Sequence, residues 1–219
     1  MPSVGALKRW SALGGLLFVA LWVIGVVLVF SGQPDSSDPP AKFIAYFGDS
    51  GHRDRIEVGW LVAGIGLFFF LWFLVALREA VRSAEGQETF LSTLVTIGGG
   101  VYAAVAFAAL GLEVGVKTMS DDTYQHQVYP GILHAADDAG YVMHATGTAA
   151  LSVMIVAVTI GLTASRAIPR WLGWIGWLAA LAALLSIFFL TMFVWLAWLL
   201  VLSVVLFLGS ETRAPLPAS

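Results

Sequence analysis

Cysteine is absent from the 219 residues. That removes disulfides, thiol catalysis and thiolate metal sites at once, and leaves the redox compartment open. Charge is scarce too: 11% of residues are Asp, Glu, Lys or Arg, against about 25% in an average soluble domain. No basic patch with interleaved aromatics offers a surface to nucleic acid, so no nucleic-acid partner is expected. The net charge of −3 names no partner either. What is abundant is apolar: 59% of the chain is hydrophobic, and runs long enough to cross a bilayer recur from end to end. The expected solvent is the membrane, and the first expected partners are its lipids.

Crossing about 30 Å of hydrocarbon takes roughly 20 helical residues. On that measure the sequence predicts an all-α, polytopic transmembrane helical bundle forming one domain over residues 1–219. Spans are expected at about 11–31, 56–77, 91–116, 138–163, 171–188 and 192–209. The last two come from one apolar tract, Trp171 to Gly209, which as a single helix would overshoot the bilayer about twofold. A tight turn near Leu190-Thr191 divides it. Six spans is the expectation, and five with one long tilted helix is the alternative. The first run, Ser11–Phe30, is too long for a signal-peptide core of about 7–15 residues and has no Ala-x-Ala after it, so it is expected to be retained.

Lysine and arginine set the orientation. With the N-terminus inside, Lys8, Arg9, Arg78, Arg82, Arg166, Arg170 and Arg213 lie on the inner side, and Lys42, Arg53, Arg55 and Lys117 on the outer. The bias predicts both termini in the cytoplasm. Trp10 and Trp171, next to basic residues, fit interfacial anchors. Lys8-Arg9-Trp10 and Pro169-Arg170-Trp171 are alike, but both open spans at the same face, so shared interface chemistry explains them better than duplication.

The outer loop at 32–55 is expected to carry a short interfacial helix. Pro39-Pro40 would start it, the Gly48–Gly51 region would end it, and Phe43, Ile44, Tyr46 and Phe47 would rest on the membrane surface. The second outer connection, SDDTYQHQVYPGIL, is short and acidic.

The ionisable residues of the spans gather at one end. HAADDAGYVMHATG (134–147) brings two acids and two imidazoles to the start of the fourth span. There Asp137 and Asp138 would cap the first helical turn, where free N–H groups and the positive dipole end favour carboxylates. Asp137, Tyr141 and His144 share one face at i, i+4 and i+7. An intramembrane histidine most often hydrogen-bonds a neighbouring helix, yet His144 also suits a pocket wall. Glu113 sits in Gly111-Leu-Glu-Val-Gly115, whose glycines would let another helix approach and bury it; pairing with Lys117 at i+4 would hold it at the rim instead. Glu57, after Arg53 and Arg55, reads as an ion-paired interfacial acid. Glu57, Glu113, Asp137, Asp138, Tyr141 and His144 are therefore the candidate ligand-binding set, with no catalytic residue assigned.

His134 and Asp138 at i+4 are the one chelating pair, and no HExxH-like signature accompanies them, so neither metal nor another cofactor is expected. Gly98-Gly99-Gly100 lacks a strand and a Gly-Lys-Ser/Thr, and inside a span means flexibility or close packing.

Two stretches carry a resemblance. FGDSGHRDRIEVGWLVAGIGLFFFLWFLVALREAVRSAEG (47–86) and AIPRWLGWIGWLAALAALLSIFF (167–189) resemble an uncharacterised family of multi-pass, about six-span membrane proteins common in actinobacteria. The resemblance runs through most of the chain, with Pro-Arg-Trp-Leu-Gly-Trp as its most distinctive piece. It implies a bacterial plasma-membrane protein from a high-GC source, and it carries over no activity and no site residue. The acid-rich 134–144 stretch is not a feature of that group.

Three functions stay open on the sequence. The first is binding or moving a small lipophilic or cationic ligand through a polar pocket near the outer face. The second is a structural or assembly role in a membrane complex, with a protein partner or a second copy. The third is an intramembrane enzyme of terpene cyclase or isomerase type, using a desolvated carboxylic acid as proton donor.

Overall fold

In the computed structural model, residues 4–35, 37–86, 90–118 and 128–209 are described. Most of the acidic connection expected at 120–133 lies outside them, as does Arg213. Among the described residues the chain is all-helical. Five stretches are long and apolar enough to cross a membrane: Trp10–Phe30, Ser50–Ala84, Phe90–Lys117, Pro130–Ala164 and Phe189–Gly209.

The helices are α1 (Val4–Phe30), α2 (Pro40–Gly48), α3 (Ser50–Glu85), α4 (Phe90–Lys117), α5 (Pro130–Ala164), α6 (Arg170–Leu184) and α7 (Met192–Gly209). Their ends follow local chemistry. Proline opens α2 and α5 at the first turn, where its missing N–H costs nothing. The Asp49 carboxylate accepts from the His52 N–H at 3.1 Å and starts α3. Gly86, at φ 81°, stops it in the left-handed region.

Each helix packs antiparallel on the next. α1 lies against α3, then α3 on α4, α4 on α5, α5 on α6, and α6 on α7, while α7 returns to α1 and closes a ring. Glycine sets the spacing. A Cβ on Gly25 would lie 2.6 Å from the Ala63 nitrogen and 2.7 Å from the Gly59 oxygen, so α1 and α3 touch backbone to backbone there. Gly98 does the same between α4 and α5, 2.6 Å from the Ala150 oxygen, while Gly100 faces open space. On α6, Gly173 and Gly176 receive Thr163 and Thr159 of α5. Ser203 of α7 accepts from the Leu16 N–H and donates to the Ala12 carbonyl, fastening α7 to α1.

The helix expected in the outer loop forms at Pro40–Gly48, but its apolar side faces the protein. Phe43 and Phe47 are buried in the core, Tyr46 packs against it, and only Ile44 is exposed. Docking wins over the membrane surface because the projecting ends of α3 and α5 offer aromatic partners: Phe43 meets His134 at 4.5 Å and Tyr46 stacks on His52 at 4.1 Å. Arg53 then donates to the Phe47 and Gly48 carbonyls that the helix leaves free.

The α6–α7 hairpin is short. Fifteen residues make α6 about 22 Å long, less than the hydrocarbon core. The connection occupies 185–191, with a 3₁₀ turn at Phe189–Thr191 that includes the expected Leu190-Thr191. Its tip is apolar and bare: Ile187, Phe188, Phe189 and Leu190 are 46–76% exposed. Side chains answer its carbonyls. Thr191 donates to Leu185 and Phe188, Ser186 donates to Ala182, and Tyr141 donates to Ile187.

Candidate functional site

α5 begins at Pro130, not near Asp138, so Asp137 and Asp138 lie two turns inside the helix and cap nothing. The expected capping role is overturned by those extra turns. Asp137 points instead to Lys117, the last residue of α4, with Nζ 2.7 Å from its Oδ1. Lys117 is 1% exposed, and its ammonium also lies 4.2 Å from the centre of the Phe30 ring. Glu113, one turn below on α4, is 7% exposed and 3.8 Å from the same ammonium. Lys117 thus belongs to the bundle and not to a loop. An acid at i−4 hinted at this in the sequence, but the helix partner that buries it was not visible there.

Glu113 is buried as expected, for another reason. Gly111 and Gly115 are exposed and face open space. The room comes from Gly140 of α5, where a Cβ would fall 2.3 Å from Glu113 Cγ and Oε1. A glycine opposite the acid, rather than glycines beside it, makes the niche.

Below this layer, His144 joins an aromatic group drawn from three other helices. Its ring stacks on Trp22 of α1, with centroids 5.6 Å apart and planes at 17°. Tyr102 of α4 meets it edge-on at 6.2 Å, and Trp195 of α7 meets Tyr102 at 6.0 Å. Among the described residues the buried Trp22 Nε1 and Tyr102 hydroxyl find no hydrogen-bond partner. Neither Trp22 nor Tyr102 stood out in the sequence, because a lone aromatic in a span is ordinary packing.

A cavity of about 480 Å³ lies between α1, α4, α5 and the hairpin tip. Trp22, Val26 and Phe30 line it from α1, Ala106, Leu110 and Glu113 from α4, Tyr141 and His144 from α5, and Phe189 and Met192 from the hairpin. Its wall is almost wholly apolar, with the Glu113 carboxylate, the His144 imidazole and the Tyr141 phenol as its titratable groups. Three of the six expected residues line it: Glu113, Tyr141 and His144. Asp137 stands behind Glu113 through Lys117. Asp138 and Glu57 are exposed and do not line it. No three His, Asp or Glu side chains among the described residues gather closely enough to hold a metal ion.

The fold and this cavity define a class: an all-helical, multi-pass membrane protein with a largely apolar chamber at one end of the bundle. Comparison with family models, curated proteins and solved structures finds no match.

Proposed function

We propose that the protein binds, or moves across part of the bilayer, a small lipophilic or cationic ligand held in the chamber between α1, α4 and α5. The observation that supports this most is the combination of a large apolar cavity with one buried carboxylate and one imidazole on its wall. An apolar wall favours an apolar body, and a carboxylate on that wall favours a polar or cationic head. A ligand with an apolar body and a polar head meets both. The chamber's size lies within the usual range for small-molecule sites, about 300–1,000 Å³.

We further infer six crossings in a bacterial plasma membrane, with both termini cytoplasmic and the α2 end outward. With Lys117 paired inside the bundle, the basic residues near the two faces stand at seven inner against three outer, which strengthens the positive-inside bias. The α6–α7 tip then ends within the outer leaflet rather than in water.

Native mass spectrometry of the protein purified in mild detergent tests the ligand reading. A discrete small amphiphile, lost on warming and restored by lipid extract, is the expected result. A stoichiometric protein partner with no small molecule would favour an assembly role instead. Orientation is read separately in intact cells. An impermeant maleimide should label Ser37→Cys and spare Ser165→Cys, and the reverse pattern inverts the topology.

A further inference from the structure

The charge at the head of the chamber is specific enough to name a ligand class, given the proposed ligand-binding role. Lys117 is one cation shared by two carboxylates. Asp137 Oδ1 is the nearer, at 2.7 Å, and Glu113 lies 3.8 Å away; both are ion-pair contacts without a directed hydrogen bond to the ammonium. Lys117 is enclosed and does not line the chamber, whereas Glu113 does. A visitor therefore meets a carboxylate whose counter-charge is committed elsewhere. Beside it the indole of Trp22, stacked on one side by His144, offers a π face, which attracts cations.

The side of the chamber completes the picture. α1 and α5 are not a packed pair, and the Trp22–His144 ring contact bridges them. The hairpin that fills the space between them stops level with Tyr141, whose hydroxyl donates to the Ile187 carbonyl. From there α5 continues to Pro130 for roughly 16 Å without it. Phe189 and Met192 of that short hairpin are both wall and threshold, and the exposed apolar tip lies alongside.

We propose that the chamber takes a lipophilic ammonium, with its amine on the Glu113 carboxylate near the Trp22 and His144 rings. Its chain leaves sideways over the hairpin tip, between α1 and α5, into the lipid. An anionic head is excluded by Glu113, because Lys117 is already covered. A neutral alcohol makes the hydrogen bond without the charge.

The test uses three chains of equal length, dodecylamine, dodecanol and dodecyl phosphate, and a short-chain phosphatidylethanolamine. Each is titrated into the detergent-purified protein, with tryptophan fluorescence and melting temperature as readouts. Dodecylamine should bind about 10–100-fold more tightly than dodecanol, as a charge-assisted hydrogen bond implies. Dodecyl phosphate should bind least. The phosphatidylethanolamine, whose phosphate meets no free cation, should bind no better than dodecanol. Glu113→Gln should remove the preference for amine, bringing dodecylamine down to the affinity of dodecanol, and a cooperative melt near the wild-type temperature shows that the variant is folded. Glu113→Asp should keep part of the preference. Asp137→Asn should weaken amine binding as well, because the released Lys117 then neutralises Glu113. Equal binding of amine and alcohol, or an amine preference that survives Glu113→Gln, overturns the ammonium reading while the chamber stands. Tightest binding of either phosphate-bearing probe overturns it too. If none of the four binds, the ligand-binding role falls with it.

Discussion

The α1–α3 and α4–α5 pairs are both antiparallel and both close on glycine, yet to the backbone contact at Gly98 the second pair adds another use of it. At Gly25 and Gly59 the missing side chains bring two backbones together, and nothing polar from a side chain lies between them. At Gly140 the missing side chain is replaced by Glu113 reaching across from α4. The first arrangement is a fastening and the second is a niche. Van der Waals contact explains the one. The other surrounds a carboxylate with protein, beside a single ammonium, Lys117, for which Asp137 competes. A glycine in a span therefore says that something comes close, and the residue facing it decides whether that is a backbone or a charge.

The largest expected effect breaks the charged side of that comparison. Lys117→Met leaves two carboxylates without their cation, one of them almost fully buried. It should cost roughly 2–4 kcal/mol, discounted because Asp137 is about one third exposed. Melting in detergent checks this. Adding Asp137→Asn should recover a large part of the loss, and no recovery would mean that Lys117 acts by packing alone.

Gly25→Ala against Gly140→Ala sharpens the contrast. A methyl at 25 must push the α3 backbone aside, at a cost of about 1–3 kcal/mol. A methyl at 140 meets only the Glu113 side chain, which is able to swing away. Gly140→Ala should therefore melt closer to wild type while losing amine binding. Equal destabilisation with binding retained would sink the distinction between fastening and niche.

Gly111→Ala and Gly115→Ala supply the control. Both face open space, so the gain in helix propensity should show, up to about 1 kcal/mol of stabilisation each. A loss at either position would mean that a helix packs there after all.

Smallest of all are Asp138→Asn and Glu57→Gln. Both side chains are exposed and outside the chamber, and surface changes of this kind stay within about 0.5 kcal/mol. Amine titration of both variants should match wild type, whereas Asp137→Asn, one residue away from Asp138, should not.

The helical bundle was legible because twenty-residue apolar runs in a chain so poor in charge have one stable form in lipid. The helix start at Pro40 and the stop near Gly48 were legible for the same kind of reason, being local backbone rules, whereas the extension of α3 to Gly86 was not. Nor was the true start of α5. Pro130 is the same kind of start signal as Pro40, but the residues after it to Ala136 are only moderately apolar, so hydropathy placed the helix at the acids. From that error came the capping role for Asp137.

By itself, then, the sequence determined the medium, the helical class, the absence of thiol chemistry, and the gathering of acids and imidazoles at one end. All of these follow from composition and from residues a few turns apart. Only the tertiary structure decided which of those residues meet. Lys117 pairs across to Asp137, Gly140 makes space for Glu113, and Trp22, from the far end of the chain, stacks on the His144 ring. Such contacts depend on how helices are rotated and slid against one another. That rotation and register are settled by close packing between helices distant in the chain, which no local pattern encodes.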